Sequence, residues 1–178
     1  MKQKVWAKTL LTIYNCLETI ASAIDNLVIT QSVSSGRNNL TTLENVEKVI
    51  NLIQRKKLLV NLKVLIDNSL SKLDKNCARI LIMKYVDKVR PEFAMEILEL
   101  SRRTYFRRID SAIDSFASAL SSLGYDEGVL EAMLKKEHWI REYYNTFLKQ
   151  SHSNLDEQGI EISDSILEPV SMKKCRAF

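Results

Sequence analysis

Glycine and proline, the residues that most often interrupt regular secondary structure, are scarce in this sequence. Only 4 Gly and 2 Pro occur among 178 residues, well below the ordinary usage of both in globular proteins. β-Sandwiches and β-barrels join many short strands by turns in which these two residues are common. We therefore expect an all-α fold that is built from long helices.

The first segment has the apolar spacing of a helix that packs along another helix. Its apolar residues recur in alternating steps of four and three, which is the heptad pattern of a narrow contact between helices. They are Trp6, Leu10, Ile13, Leu17, Ile20, Ile24 and Leu27. Turn-forming residues follow at 34–39, and Thr41 with Glu44 forms a capping box for a second helix that extends to about Leu70. The pattern predicts an N-terminal helical hairpin over residues 1–72, used for packing or dimerisation.

The predicted second helix carries two apolar stripes. The first is Leu43, Val46, Ile50 and Ile53, and the second, displaced near Lys56, is Leu58, Leu62 and Leu65. We expect the first half of this helix to pack on the first helix, and the second half to pack on the next module or on another subunit. Internal packing and dimerisation both fit this pattern.

The middle of the chain, residues 73–124, has the pattern of a helix-turn-helix module. A densely apolar, buried helix is expected first, then a brief helix, a three-residue turn and a longer helix. Residues typical of helix ends mark these elements: Asp74 before the first, Pro91 at the start of the second, which ends near Leu98, and Ser101 and Gly124 around the third. We predict that this module binds DNA.

The remaining residues predict one further helix and a tail. Asp126 can cap a C-terminal helix over 125–149, and its apolar residues share one face. They are Leu130, Met133, Ile140, Tyr144 and Phe147. Residues 150–178 are polar and without a helical period, which predicts a largely flexible tail with a short ordered piece at 160–167.

The helix after Ser101 combines an apolar face with a cationic one. At about 100° per residue, Tyr105, Ile109, Ala112, Ile113, Phe116 and Leu120 lie on one side. Arginine can donate two hydrogen bonds to O6 and N7 of guanine, and an α-helix fits the major groove. The opposite side therefore supplies the predicted base-reading residues, which are Arg103, Thr104, Arg107, Arg108 and Ser111.

A second set of residues is predicted to contact DNA phosphates. It consists of Lys88, Arg90, Ser101, Arg102 and Tyr105. Lys88 and Arg90 precede the first helix of the motif, where a helix N-terminus can face the DNA backbone. The alternative is a solvated cationic face that is paired with nearby acids, for which Glu96, Glu99, Asp110 and Asp114 are available. The position of the arginines directly after a capping serine favours DNA.

The same stretch resembles a known family of DNA-binding proteins. The segments that carry the resemblance are Tyr85-Val-Asp, the run from Pro91 to Ser101, and Arg102-Arg-Thr-Tyr-Phe-Arg-Arg followed by Ala112, Phe116, Ala117 and Leu120. Together they are similar to the sigma-70 region 4-like module of ArpU/RinA-type phage late transcriptional regulators, over roughly residues 73–124. The resemblance implies a cytoplasmic protein of bacterial or prophage origin that binds promoter DNA and contacts RNA polymerase.

The family's recognition-helix motif corresponds here to Ser101, Arg103, Thr104, Tyr105 and Arg107. Two positions depart from the family pattern. Glu99 stands where the turn usually has Gly, and Met95 stands where a small Ala is common, with Ala94 one residue earlier. A non-glycine residue in the turn and a larger side chain between the helices would strain the turn and change the helix crossing.

Other features of the sequence argue against an enzyme, a metalloprotein or a membrane protein. Cys16, Cys77 and Cys175 are widely separated, which indicates neither a disulfide framework nor a zinc site. No phosphate-binding glycine loop, nucleophile elbow or metal-spaced His/Cys cluster occurs, so we expect no enzymatic activity, metal or cofactor. No apolar run reaches the ~18 residues of a membrane span, and the N-terminal segment does not fit a signal peptide. A cytoplasmic protein is expected.

Three functions follow from these patterns. The first is a sequence-specific transcription regulator that binds double-stranded DNA as a homodimer. The second is a helical interaction protein that binds RNA polymerase or another sigma-like partner without reading DNA. The third is a stress or sporulation accessory protein with no nucleic-acid role.

Overall fold

The computed structural model describes residues 2–33 and 42–156, and every regular element in these ranges is helical. The all-α prediction is therefore confirmed. The helices are α1 (Lys2–Val33), α2 (Thr42–Ser71), α3 (Lys75–Leu81), α4 (Pro91–Ile97), α5 (Arg102–Ser122), α6 (Glu127–Met133) and α7 (His138–Asp156). A π-helical turn, Ile82–Val86, continues α3. None of these helices combines the length and apolar character needed to span a membrane. The capping role of Thr41, the turn at 34–39 and the ordered piece at 160–167 lie outside the described residues.

The described residues form two compact units. Unit 1 consists of residues 2–14 and 65–156, and unit 2 consists of residues 15–33 and 42–64. The sequence pattern had placed residues 2–14 with the N-terminal hairpin. In the structure they belong to the unit that also contains α4 and α5.

The core of unit 1 includes the first turns of α1, which are buried on nearly all sides. Val5, Trp6, Ala7, Leu10 and Leu11 are all at most 2% exposed. The Trp6 ring stacks on the ring of Tyr144 in α7, with centroids 4.2 Å apart. A helix buried all round is a core helix and not a surface helix with one apolar face. The N-terminal residues are thus an integral part of unit 1.

Local capping interactions define the helices of unit 1 where the sequence predicted them. Asp74 accepts a hydrogen bond from the backbone N–H of Asn76 at 3.0 Å, before α3. Pro91 is the first residue of α4. The Ser101 hydroxyl oxygen accepts from the backbone N–H of Thr104 at 3.4 Å. These three helix starts are confirmed.

The C-terminal region contains two helices, α6 and α7, and the prediction of one continuous helix was wrong. The turn between them starts at Leu134, and Glu137 directly precedes α7. Leu130, Leu134 and Ile140 are all fully buried. In one helix Leu134 and Ile140 would point about 120° apart at 100° per residue. The break allows both side chains to enter the same core.

In unit 2, α1 and α2 run antiparallel. Lys56 of α2 donates to Asp25 of α1 at 2.6 Å, and Lys63 of α2 donates to Glu18 of α1. A step of seven residues forward along α2 therefore matches a step of seven residues backward along α1. The hydrogen bond from Lys63 lowers the pKa of the Glu18 carboxyl. The predicted heptad residues of α1 are buried in the structure as far as Ile24, whereas Leu27 is 38% exposed.

The side of α2 that packs within unit 2 differs from the prediction. Leu59 and Leu62 are buried, whereas the stripe expected to contact the first helix is exposed to solvent. This stripe is Leu43, Val46, Ile50 and Ile53. The reason is rotational. The ion pairs of Lys56 and Lys63 mark the side of α2 that faces α1, and the stripe lies roughly 120° away from these lysines around the helix at 100° per residue.

Candidate nucleic-acid interface

The long helix α5 separates apolar and polar residues onto opposite sides. Every residue of the predicted apolar face is buried: Tyr105, Ile109, Ala112, Ile113, Phe116 and Leu120. The helix α3 packs against α5 in unit 1. The helical period therefore predicted correctly which side of α5 faces the core.

The opposite side of α5 is polar and accessible. Of the five predicted base-reading residues, Arg103, Arg107, Arg108 and Ser111 are exposed, and Thr104 is half-buried. All five lie within the first ten residues of the helix, on adjacent turns of one element. We call the four arginines at positions 102, 103, 107 and 108 the cationic face of α5.

Two of the four acidic residues that could neutralise the cationic face, Asp110 and Asp114, lie close to a cation of another helix. Lys4 of α1 lies 2.9 Å from a carboxylate oxygen of Asp114 and 3.9 Å from one of Asp110. No ion pair joins an arginine of the cationic face to a carboxylate among the described residues. The sequence contains no signal for this arrangement, because Lys4 lies more than 100 residues before its partners.

The cationic face is electrostatically unfavourable for the isolated helix. The first turn of α5 contains Arg102 and Arg103 and no acidic residue. Cations near a helix N-terminus oppose the helix dipole at a cost of about 0.3–1 kcal/mol each. Arg103 and Arg107, four residues apart, add a like-charge repulsion of a few tenths of a kcal/mol. A polyanion beside this face would reverse the sign of both effects.

The predicted phosphate-contacting residues differ in their accessibility. Ser101 and Arg102 are exposed at the start of α5, and Lys88 and Arg90 are exposed on the segment that leads into α4. Tyr105 is only 1% exposed. Its side chain lies in the core of unit 1, so the prediction that Tyr105 contacts phosphate was wrong.

Lys84 is a further cation next to α5 that the sequence did not single out. It lies in the π-helical turn, with Nζ 5.7 Å from the ring centroid of Tyr85 and 5.9 Å from that of Phe106 in α5. At these distances an ammonium is attracted by the faces of aromatic rings. Burial raises the pKa of Tyr85, and the charge of Asp110 raises it further. Lys84 thus lies between neutral rings beside the start of the cationic face.

The turn between α4 and α5 contains a left-handed residue. Glu99 has φ +50°. The N–H of Leu100 donates to the Met95 carbonyl at 2.9 Å, and the N–H of Glu99 donates to the Glu96 carbonyl at 3.1 Å. This is the Schellman arrangement, in which glycine is the preferred left-handed residue. The strain expected from a glutamate at this turn position is therefore present in the backbone.

Met95 stands where the resembling family has a small residue, but the buried position of α4 is filled by its neighbour Ala94. Ala94 is completely buried, whereas Met95 is half-buried. The small residue thus occupies the buried position of α4, one place earlier than in the pattern of the resembling family.

We predict that Glu99→Gly stabilises the protein by about 0.5–1 kcal/mol, because a side chain in the left-handed region costs about 1 kcal/mol that glycine avoids. The matched control is Gly124, which has φ +84° and closes α5 with the same pair of hydrogen bonds. A Cβ at Gly124 would meet no atom within 4 Å, so Gly124→Ala tests backbone strain alone. Urea unfolding should show opposite signs for the two variants, and a loss of stability in Glu99→Gly would contradict the prediction.

Fold and site together define the class of this protein. It is an all-α protein in which a short helix and a turn lead into a long helix with an accessible cationic face. Residues 37–117 match the model of a family described as a protein of unknown function (DUF1492). The matched region includes α2, α3, α4 and most of α5. No curated protein and no solved structure matches the chain. This match does not confirm the resemblance to the ArpU/RinA family, which stays a prediction.

Proposed function

We propose that this protein is a sequence-specific, DNA-binding transcription regulator of phage or prophage type. In this proposal α4 and α5 act as a sigma-70 region 4-like helix-turn-helix, and α5 enters the major groove. One observation carries the proposal: four arginines at the start of α5 are accessible, while Asp110 and Asp114 are engaged by Lys4. The match to a phage-associated family of unknown function supports the phage-type assignment.

The proposed roles follow from position on the helix. Arg103, Arg107 and Arg108 lie on the accessible side within two turns, where guanidinium groups can bond guanine edges bidentately. Thr104 and Ser111 contribute hydroxyl contacts to bases. Arg102 and the capping Ser101 bind phosphates at the helix start, and Lys88 and Arg90 bind phosphates before α4. The protein acts in the cytoplasm, without catalysis or a cofactor.

A second function is favoured by one observation on α4. Phe93 is 55% exposed and Ile97, one turn later, is 53% exposed. An accessible aromatic and aliphatic pair is typical of a contact with another protein. In this alternative the module binds RNA polymerase or another sigma-like partner through α4, without reading DNA.

Salt dependence tests the proposal and separates the two functions. The wild-type protein is incubated with sheared host and phage DNA, the retained fragments are sequenced, and their affinity is measured over a range of salt concentrations. If the three cations assigned to phosphates, Lys88, Arg90 and Arg102, each neutralise one, affinity should fall by about 2.7 log units per log unit of salt. Failure to retain any DNA fragment at low salt would contradict DNA binding. Capture of RNA polymerase with little salt dependence would favour the second function.

A further inference from the structure

An exposed heptad stripe follows one side of α2 through unit 2. Its members are Leu43, Val46, Ile50, Ile53, Lys57, Val60 and Val64. The six apolar members are between 43% and 81% exposed, and Lys57 is also exposed. Their spacing alternates steps of three and four over three heptads without a break. We call these seven residues the α2 stripe.

The α2 stripe is not needed to hold unit 2 together. The antiparallel contact between α1 and α2 uses another side of α2, where Leu59 and Leu62 are buried and Lys56 pairs with Asp25. A regular three-four repeat of apolar residues is the pattern by which two helices pack knobs into holes. Both helices of unit 2 are already formed, so a partner helix would not have to supply the cost of ordering α2.

We propose that the α2 stripe is the interface between two copies of this chain, which pair through antiparallel α2 helices. In this register Ile50 lies opposite Ile53 of the second copy, and Leu43 lies opposite Val60. Two-fold symmetry repeats each contact, as expected for a dimer in which both copies use the same surface. This inference does not rest on DNA binding.

The position of Lys57 in the α2 stripe favours an antiparallel over a parallel arrangement of the two α2 helices. In a parallel pair the two Lys57 ammonium groups would face each other in the centre of the stripe. In the antiparallel register Lys57 lies opposite Val46 of the second copy, and so beside Glu47, which is exposed next to Val46. Two ammonium–carboxylate pairs then flank the apolar centre. Lysine at a core position is a known device for setting the register of paired helices.

The first test is the oligomeric state of the full chain. Sedimentation analysis at micromolar concentration should give about 41 kDa, twice the 20.5 kDa of one chain. Ile53→Glu should raise the dissociation constant about 100-fold or more, because it places two carboxylates in the apolar centre. Asn51→Glu, an equal charge change at an exposed position of α2 off the stripe, should leave the dimer unchanged. Far-UV circular dichroism should show equal helix content in all three proteins.

The second test is a charge exchange that reports orientation. Lys57→Glu should weaken the dimer about 10-fold through repulsion with Glu47, and adding Glu47→Lys should restore it. In a parallel dimer these two positions lie about 15 Å apart along the helix, at 1.5 Å per residue, so the second change would not restore it.

Three results would overturn the proposal: a monomeric wild-type protein, a dimer insensitive to Ile53→Glu, or a charge exchange without recovery. Stoichiometric capture of a different protein by a monomeric chain would assign the α2 stripe to that partner. A dimer that passes both tests but retains no DNA would uphold the interface and refute the proposed function.

Discussion

Replacing Arg103 and Arg107 together by alanine should weaken DNA binding by about 2–6 kcal/mol, since each base-edge contact by arginine is worth about 1–3 kcal/mol. The same variant should be at least as stable as the wild type, and we expect a gain of about 0.5–1 kcal/mol. Alanine has the highest helix propensity, and the change removes a cation from the first turn of α5 together with the repulsion between positions 103 and 107. Opposite effects on binding and stability identify a surface selected for a ligand.

The measurement is a gel shift on a retained DNA fragment, with urea unfolding of the same protein samples. The control is Lys135→Ala combined with Lys136→Ala, two exposed cations of unit 1 that follow α6. Both double variants lower the formal net charge from +4 to +2. The control should keep most of the affinity. Equal losses in the two variants would mean that net charge, and not the cationic face, drives binding, and an unchanged affinity after the arginine changes would refute the site.

The largest expected effect on stability is that of Trp6→Ala, a loss of about 3–5 kcal/mol, as for large aromatic residues removed from cores. Trp6 is 2% exposed and stacks on Tyr144. Because residues 2–14 belong to the same unit as α5, the loss should extend to the candidate interface. Amide hydrogen exchange should therefore accelerate in α5 as well as in α1 and α7.

The control for this change is Phe93→Ala, which removes an exposed aromatic ring from the same unit. Its effect on the free energy of unfolding should stay within about 0.5 kcal/mol, the usual range for surface positions. If Trp6→Ala left the exchange rates of α5 unchanged, the first turns of α1 and the candidate interface would not unfold together.

The parts of this fold that were predictable from sequence depend on neighbouring residues. Asp74 and Ser101 cap the helices that follow them, Pro91 begins α4, and Gly124 has the positive φ that closes α5. Each of these effects acts within one turn of the chain, and so each is visible in a short window of sequence.

The period of α5 also predicted which side carries the cationic face, because one helix has one buried side. The same period placed Tyr105 among the apolar residues, and the structure agrees. Its predicted phosphate contact came from the motif alone and conflicted with that period. Where a motif and a helical period disagree about one side chain, burial follows the period here.

Long-range partners could not be predicted. Nothing near Asp110 and Asp114 indicates that Lys4 engages them, and the pattern in α1 does not show that its first turns are enclosed by unit 1. On α2, we interpreted Lys56 as the point near which one stripe gives way to a second, displaced one. The heptad in fact continues through Lys57 to Val64, and Lys56 and Lys63 lie on the side of the helix that meets α1.

Lys4, in the first turn of α1, affects the charge around the cationic face of α5 although it is not part of that face. Its ammonium group lies 2.9 Å from the Asp114 carboxylate and 3.9 Å from the Asp110 carboxylate, on the same helix as the arginines, and Asp110 follows Arg107 by less than one turn. On the proposed function, loss of that single positive charge would let these carboxylates compete with phosphate oxygens for the guanidinium groups. Acetylation of the Lys4 amine would thus lower the occupancy of DNA, although it alters no atom that contacts the DNA.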